Sequence, residues 1–331
     1  MGAIFMDILF LNQKDVKKIL DMSSAIEVNE DAFLQHGLGN VQMPVKSYLY
    51  MHEYNGDLRT MPAFIENQDI CGVKVVNVHP DNQRVGLPTV MAVVLLNSTS
   101  TGAPLAMMEA SYLTDVRTGA AGGIAAKYLA RKNSHVIGMI GAGHQAHTQL
   151  LALSHLFDIK HVKVTSADME ENEMLERDLK PVLDCEFTLT MDIEEVCDCD
   201  ILVTTTPVRK PLVRREWIKA GTHINAIGAD AKGKQELDSE LLLHSKVIVD
   251  DVPQASHSGE VNVAISEGFM KVDDIYCELG HVIAGVCQGR QSDEEITIFD
   301  STGLAIQDVA TANYVYTKAL HNNIGKKLEI F

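Results

Sequence analysis

The stretch His135–Leu150, HVIGMIGAGHQAHTQL, constrains this chain more than any other, because an apolar run breaks at a glycine turn and resumes with helical spacing. Val136, Ile137, Met139 and Ile140 read as a buried strand of a parallel sheet, Gly141-Ala142-Gly143 as a tight turn, and His144 onward as a helix. Such a turn suits a dinucleotide. Gly141 permits the reversal, Gly143 lets the backbone approach a pyrophosphate, and the small Ala146 allows close packing of helix on strand. The start of the helix, at His144 and Gln145, then offers N–H groups and the positive end of its dipole to phosphates. Glycine turns between strand and helix also occur in α/β proteins that hold no nucleotide, so the motif by itself leaves both readings open.

A chain of 331 residues exceeds the usual single core, and two domains are expected. The formal net charge of −17 repels nucleic acid and anionic lipid, which leaves a small-molecule or protein partner. The longest uninterrupted apolar run, Val90–Leu96, is too short to span a bilayer. The apolar start through Leu11 is interrupted by Asp7 and lacks a basic region or small-residue cleavage site, and Met6 stands where myristoylation needs Ser or Thr. The expectation is a cytoplasmic protein without a membrane. Cys71, Cys185, Cys197, Cys199, Cys277 and Cys287 are scattered and read as reduced, structural thiols. Cys197-Asp198-Cys199 lacks a second pair to complete a zinc site, so no metal is expected.

Along the chain, residues 7–11 read as a strand, Asn12 as the cap of a helix through Leu20, and Ser23 or Ser24 as the start of a helix ending at Gly37 or Gly39. Ser47–His52 and Leu58–Phe64 flank an Asn55-Gly56 hairpin signal, and Ile70–Val78, Thr89–Asn97 and Ala103–Glu109 complete a largely antiparallel domain. A helix from Ser111 to Leu129 carries the small-residue stretch Thr118–Gly123, suited to close packing. From Val136 strands and helices alternate, with strands at Val136–Ile140, Val162–Ser166, Glu186–Leu189, Ile201–Thr204, Thr222–Ile227, Val247–Val249 and Ile296–Phe299. That alternation implies a doubly wound parallel sheet of right-handed βαβ units. The last helix, Ala305 to about Asn322, is expected to pack back on the first domain and make it discontinuous.

Several side chains could carry chemistry. Lys74 lies in the apolar strand Cys71–Val78 and shares a face with Gly72 and Val76. A buried lysine lowers its pKa and suits proton transfer; on an edge strand the same lysine would point to solvent. Arg59 and Lys46, on neighbouring strands, either converge with Lys74 on a substrate carboxylate or are surface charges. Asp230 ends the strand after Gly228-Ala229 and either emerges at the ligand-binding edge of the sheet or is a loop aspartate. Thr204–Pro207, with Thr205 and Thr206, and Ser301–Gly303 end strands at the same edge, as ribose contacts or as turns. His144 and His147 are one helical turn apart without a third ligand, and read as first-turn residues near a cofactor rather than a metal pair. The second strand ends at Ser166-Ala167-Asp168, where an acid is expected to accept ribose hydroxyls. No arginine stands beside it, and Asp168, Glu170 and Glu171 would repel a 2′-phosphate, which favours NAD over NADP.

Gly56–Pro62, Gly86–Met91, Arg117–Arg131, Thr222–Asp230 and Phe299–Asp308 together resemble the ornithine cyclodeaminase and mu-crystallin family over essentially the whole chain, and within it the archaeal-type alanine dehydrogenases. The resemblance implies an α/β protein in which a Rossmann-type doubly wound parallel sheet (117–303) binds NAD. A discontinuous α+β domain (1–116 plus 304–331) would bind a small amino acid or 2-oxo acid and form a homodimer. By matching motifs Lys74 is the proton donor and acceptor and Asp230 its acidic partner; Lys46, Arg59 and Arg117 take the substrate. Arg117, with Thr118, also reaches the cofactor beside Gly143, His144, Gln145 and Ala146. The resemblance implies an acid where this chain has Ser166. The activity implied is NAD-dependent oxidative deamination of L-alanine, with ornithine cyclodeamination, cyclic ketimine reduction, or a mu-crystallin-like cofactor-dependent binding role as alternatives.

Overall fold

The computed structural model describes residues 7–330, so the reading of the apolar start at Met1–Met6 lies outside the described residues. Two compact units are present, 1–117 with 304–331 and 118–303.

The chain opens with β1 (Asp7–Leu11), α1 (Gln13–Ile19) and α2 (Met22–Gly37). Asn12 caps α1, its side chain accepting from the amides of Lys14 and Asp15 while Asp15 reaches back to the Asn12 amide. Asp21, not Ser23 or Ser24, caps α2 by accepting from the Ser24 amide at 2.8 Å, because a carboxylate one turn earlier already satisfies the helix start. Six more strands follow: β2 (Val41–Gln42), β3 (Ser47–Met51), β4 (Gly56–Ile65), β5 (Ile70–Val78), β6 (Val90–Ser98) and β7 (Pro104–Glu109). β3 and β4 form the hairpin, turning through a short 3-10 segment over His52–Tyr54 closed by Asn55 in the left-handed region. α3 (Ser111–Leu129) ends this segment.

The second unit continues with β8 (Val136–Ile140), α4 (His144–Ser154), β9 (His161–Thr165), α5 (Met169–Leu179), β10 (Glu186–Leu189), α6 (Ile193–Cys197), β11 (Ile201–Thr204), β12 (His223–Ala226), α7 (Ser239–Leu243) and β13 (Lys246–Val249). α8 (Val252–Ser258), α9 (Val261–Ser266), β14 (Cys277–Glu278), α10 (Leu279–Ile283) and β15 (Thr297–Asp300) complete it. α11 (Ala305–Asn322) and β16 (Lys326–Glu329) return to the first unit.

The first unit's sheet runs β16-β1-β7-β6-β5-β4-β2, with β3 also on β4. It is antiparallel apart from the β1–β7 pair. Met61, Ala63, Val76, Val94, Leu96 and Met108 line the buried face, against which α11 packs along β4, β5 and β6 with α2 beside it. Each fully buried aliphatic or aromatic side chain there contributes about 1.5–3 kcal/mol. Asn29 of α2 joins α11 through Thr311 Oγ1 at 3.0 Å.

The second unit's sheet is parallel throughout and ordered β10-β9-β8-β11-β12-β15-β13-β14. Alternate residues feed two cores: Ile137, Met139, Ile201 and Val203 meet α4 and α5, while Ile140 and Leu202 join Val196, Leu241, Ala255 and Val261 on the other face. The sheet is therefore doubly wound, and chain order reverses between β8 and β11, the place where such sheets hold ligands. The stretch Thr118–Gly123 packs on α4: a Cβ at Gly119 would strike the Thr148 backbone, and one at Gly122 would strike the Gln149 side chain.

The reading of six reduced thiols is corrected. Cys277 and Cys287 form a disulfide, because α10 turns the chain back and brings their Cα atoms to 6.7 Å. Cys197 and Cys199 are buried thiols, and burial pushes that of Cys197 up to about 12. No helix among the described residues is long and apolar enough to cross a membrane.

Gly119→Val should lower stability by about 1–3 kcal/mol through overpacking against the α4 backbone. Chemical denaturation of the variant reads this, and an unchanged midpoint would contradict the close approach of α3 and α4.

Candidate active site

In the first unit, β5 lies between β4 and β6, so Lys74 is on an interior strand and not an edge. It pairs in register with Met61 on β4 and Val94 on β6, both buried on the same face. Its ammonium lies 2.7 Å from Asp308 Oδ2 of α11, the two side chains being 1% and 0% exposed. Thr114 Oγ1 is 3.4 Å away. Burial, reinforced by the Arg117 guanidinium, pulls Lys74 from its ordinary 10.5 down to about 7, against the upward pull of Asp308. Arg117 Nε donates to Asp308 Oδ1 at 2.9 Å, so one carboxylate holds both cations.

Arg59 is opposite Val76 and Tyr48 in register, which puts it on the Lys74 face. Its guanidinium pairs with both oxygens of Asp57 at 2.8 and 3.1 Å. Arg59 Cζ and Lys46 Nζ sit 5.3 and 5.8 Å from the centre of the Tyr48 ring, and both cations are buried. The first unit thus gathers Lys46, Arg59, Lys74 and Arg117 against Asp57 and Asp308. Such a set has the chemistry to take a carboxylate, with one amine able to exchange a proton near neutrality.

In the second unit, Gly141 has φ of +98°, and a Cβ there would come within 2.6 Å of Thr205 Oγ1. Gly143 begins α4 with no side-chain cap, and nothing stands within 4 Å of where its Cβ would lie. Open space before uncapped helix N–H groups fits a pyrophosphate. His144 is exposed, Gln145 half-buried and Ala146 buried. His147 turns back to the Gly143 carbonyl and to Asp178. Among the described residues no group of three or more His, Cys, Asp or Glu side chains could hold a metal ion. The Thr118 carbonyl accepts from Gln149 Nε2.

Ser166 Oγ donates to the Asp168 carbonyl at 2.7 Å with exposed Ala167 between them, and the Asp168 carboxylate caps α5 through the Glu170 amide. Thr206 gives both amide and hydroxyl to Glu236 Oε1 at 2.6 Å, and Gly228 and Thr204 donate to Oε2. The Ser301 amide donates to Ala226 and Ala229 is buried. Asp230 Oδ1 pairs with Lys234 at 2.6 Å, whereas the acid beside Lys74 in its own unit is Asp308.

A family model described as the ornithine cyclodeaminase/mu-crystallin family matches residues 6–323. The chain belongs to this family. An alanine dehydrogenase from Archaeoglobus fulgidus is 53% identical over 330 residues, covering 98% of this chain and 99% of that protein. A solved archaeal alanine dehydrogenase dimer with bound NAD superposes with a TM-score of 0.95 at 52% identity, covering 98% of this chain and 100% of that one. The Δ1-pyrroline-2-carboxylate reductase of Thermococcus litoralis, solved with NADH and L-proline, gives 0.94 at 38% identity, with 97% and 100% covered.

Some groups in this family member escaped sequence reasoning. Asp308 carried a faint signal, an acid set among Ile306, Val309 and Ala310 in the first turn of a buried helix. Glu236 and Glu260 carried none. Both are fully buried, and Glu260 accepts the Glu236 and Leu237 amides. Burial pushes both carboxyls up, Glu260 further because Glu236 lies beside it.

Between pH 7 and 10 the unfolded chain protonates Lys74 more than the folded chain does, so this residue makes stability rise with pH by about 1.4 kcal/mol per unit. Lys74→Met should remove that slope in urea denaturation from pH 7 to 9; an identical slope in both proteins would contradict the lowered pKa.

Proposed function

We propose that the chain catalyses NAD-dependent oxidative deamination of L-alanine to pyruvate and ammonium, and the reverse reductive amination. The observation that carries this reading is Lys74, buried beside Asp308 with its pKa lowered to about 7, near the buried cations Lys46 and Arg59. The 53% identity to an alanine dehydrogenase along the whole chain supports alanine as substrate. NAD is supported by the relatives solved with NAD or NADH and by the open turn at Gly143.

Gly141, Gly143, His144, Gln145 and Ala146 would hold the pyrophosphate, with Arg117 and Thr118 contributing. Ser166, Ala167 and Asp168 would hold the adenosine ribose, and Thr205, Thr206, Gly228, Ala229 and Ser301 the nicotinamide half. When bound, NAD accepts the hydride from the substrate α-carbon. Arg59 and Lys46 orient the carboxylate, which fixes the position of that carbon. Water adds to the substrate iminium, and Lys74 takes the proton from the developing hydroxyl as ammonia departs. Asp230 serves protons at the amine and the water, a role that rests on its place in the family motif.

A homodimer is part of the same reading. Val73, Val75, Met91, Val93, Leu95 and Met107 lie on the face of the first unit's sheet opposite α11, an apolar surface of the kind a second subunit covers. The archaeal relative solved with NAD is itself a dimer.

Absorbance at 340 nm with alanine, ornithine, and pyruvate plus ammonium tests the reaction, with Δ1-pyrroline-2-carboxylate as a fourth substrate. Steady NADH formation from alanine is expected. Proline release from ornithine without NADH, or reduction of the cyclic imine in preference to pyruvate, would overturn it. Lys74→Ala should lower kcat about 10²–10⁴-fold and leave NAD affinity intact; loss of both would make the lysine structural.

A further inference from the structure

We propose that Asp308, in the first turn of α11, is a positioning residue that grips Lys74 Nζ with one carboxylate oxygen and Arg117 Nε with the other, and so orients and tunes the lysine for proton transfer. The proposal rests on the reading of Lys74 as the acid–base group given above.

The geometry is specific. Asp308 is fully buried, 2.7 Å from Lys74 through Oδ2 and 2.9 Å from Arg117 through Oδ1. Gln307, the preceding residue, links the same partners: its Oε1 accepts from the Leu304 amide at 2.8 Å and from Arg117, and its Nε2 donates to the Arg117 carbonyl at 3.3 Å. The arginine is thus tied to the start of α11 by three bonds, and the carboxylate lies where the helix dipole favours a negative charge. A buried carboxylate without counter-charges would cost several kcal/mol, so neither cation is replaceable without consequence for the other.

The groups facing Lys74 decide what Asp308 can do. α3 presents Arg117 and Thr114, the segment before β3 presents Lys46, and β4 and β6 present the apolar Met61 and Val94. Among the described residues Asp308 is the acid in this set. Without it Lys74 would sit in an apolar wall with two cations nearby, its amine neutral well into the acid range and free to rotate. With it, one oxygen fixes Nζ by an ion pair, while Arg117 on the other oxygen keeps that pair from locking the lysine fully charged. The balance of one acid between two cations is what leaves Lys74 able to both take and give a proton near pH 7.

Two substitutions of opposite sign test this. Asp308→Asn keeps the shape and removes the charge, and should move the Lys74 titration down by about 1 unit or more. Arg117→Gln leaves Asp308 wholly to the lysine and should move it up. The titration is read directly from the 13Cε resonance of lysine-labelled protein without substrate or NAD, assigned by its loss in Lys74→Met. In turnover the acid limb of kcat/KM should move down with it in Asp308→Asn, and kcat on the plateau should fall at least about tenfold as the amine loses its orientation. Opposed shifts in the two variants support the inference whichever substrate the enzyme prefers, so failure of the alanine reading is told apart by the substrate panel. If Asp308→Asn does not fold, Asp308→Glu carries the test, because it keeps the charge and moves the oxygens: a shifted Lys74 titration with a lowered kcat is expected, and both unchanged would overturn the proposal. Lys74 titrating at one pH in all the folded proteins would overturn the proposal.

Discussion

Lys74 and Asp308 lie 2.7 Å apart with almost no access to water, and the first unit is shaped so that both can be buried. The lysine projects from an interior strand and the aspartate from the first turn of the helix laid across that strand's face. A charge on either group costs several kcal/mol there unless it is paired, and burial lowers the Lys74 pKa to about 7 in answer to that cost. The register of β4, β5 and β6 and the docking of α11 are therefore coupled to one ion pair, and Arg117 extends it to α3. A surface salt bridge would contribute little. This one matters because both partners are buried and a second cation, Arg117, shares the carboxylate.

The second unit uses buried acids in a different way. Glu236 ties the end of β11 to the end of β12 through Thr204, Thr206 and Gly228, and Asp250 ties the end of β15 through the Thr302 and Gly303 amides at 2.6 and 2.7 Å. These carboxylates satisfy backbone donors at the carboxyl edge of a parallel sheet, where loops begin and strand ladders stop. The result is a fixed rim beside an open turn at Gly143. A rigid edge next to an uncapped helix start suits the dinucleotide proposed for it, and the Thr206 hydroxyl is committed inward to Glu236.

Much of this architecture was legible in residue order. Continuous apolar runs marked β5 and β6, the glycine turn marked β8 and α4, and the helix read over Ser111–Leu129 has those bounds. The short strands β2, β14 and β16 were not legible. They are two to four residues long, and β16 reads Lys-Lys-Leu-Glu, so pairing with β1 rather than any local preference makes it a strand. The Cys277–Cys287 bond was hidden for a similar reason, since only the turn made by α10 brings the thiols together. Within the site, Lys74 was visible as a charge in an apolar strand, Arg59 and Lys46 only as cations near it, and Arg117 through the family motif. Their counter-ions were not: Asp308 meets Lys74 across more than two hundred residues, and no spacing rule links the two positions.

The proposed reaction requires hydride to leave the α-carbon of a small amino acid whose carboxylate Arg59 and Lys46 would hold. Incubation with L-alanine deuterated at C2, followed by the mass of the reduced nicotinamide product, tests this most directly. The account predicts NADH one mass unit heavier, with all of the label transferred. Unlabelled product, or ammonia released from an amino acid with no net NADH formed, would contradict it.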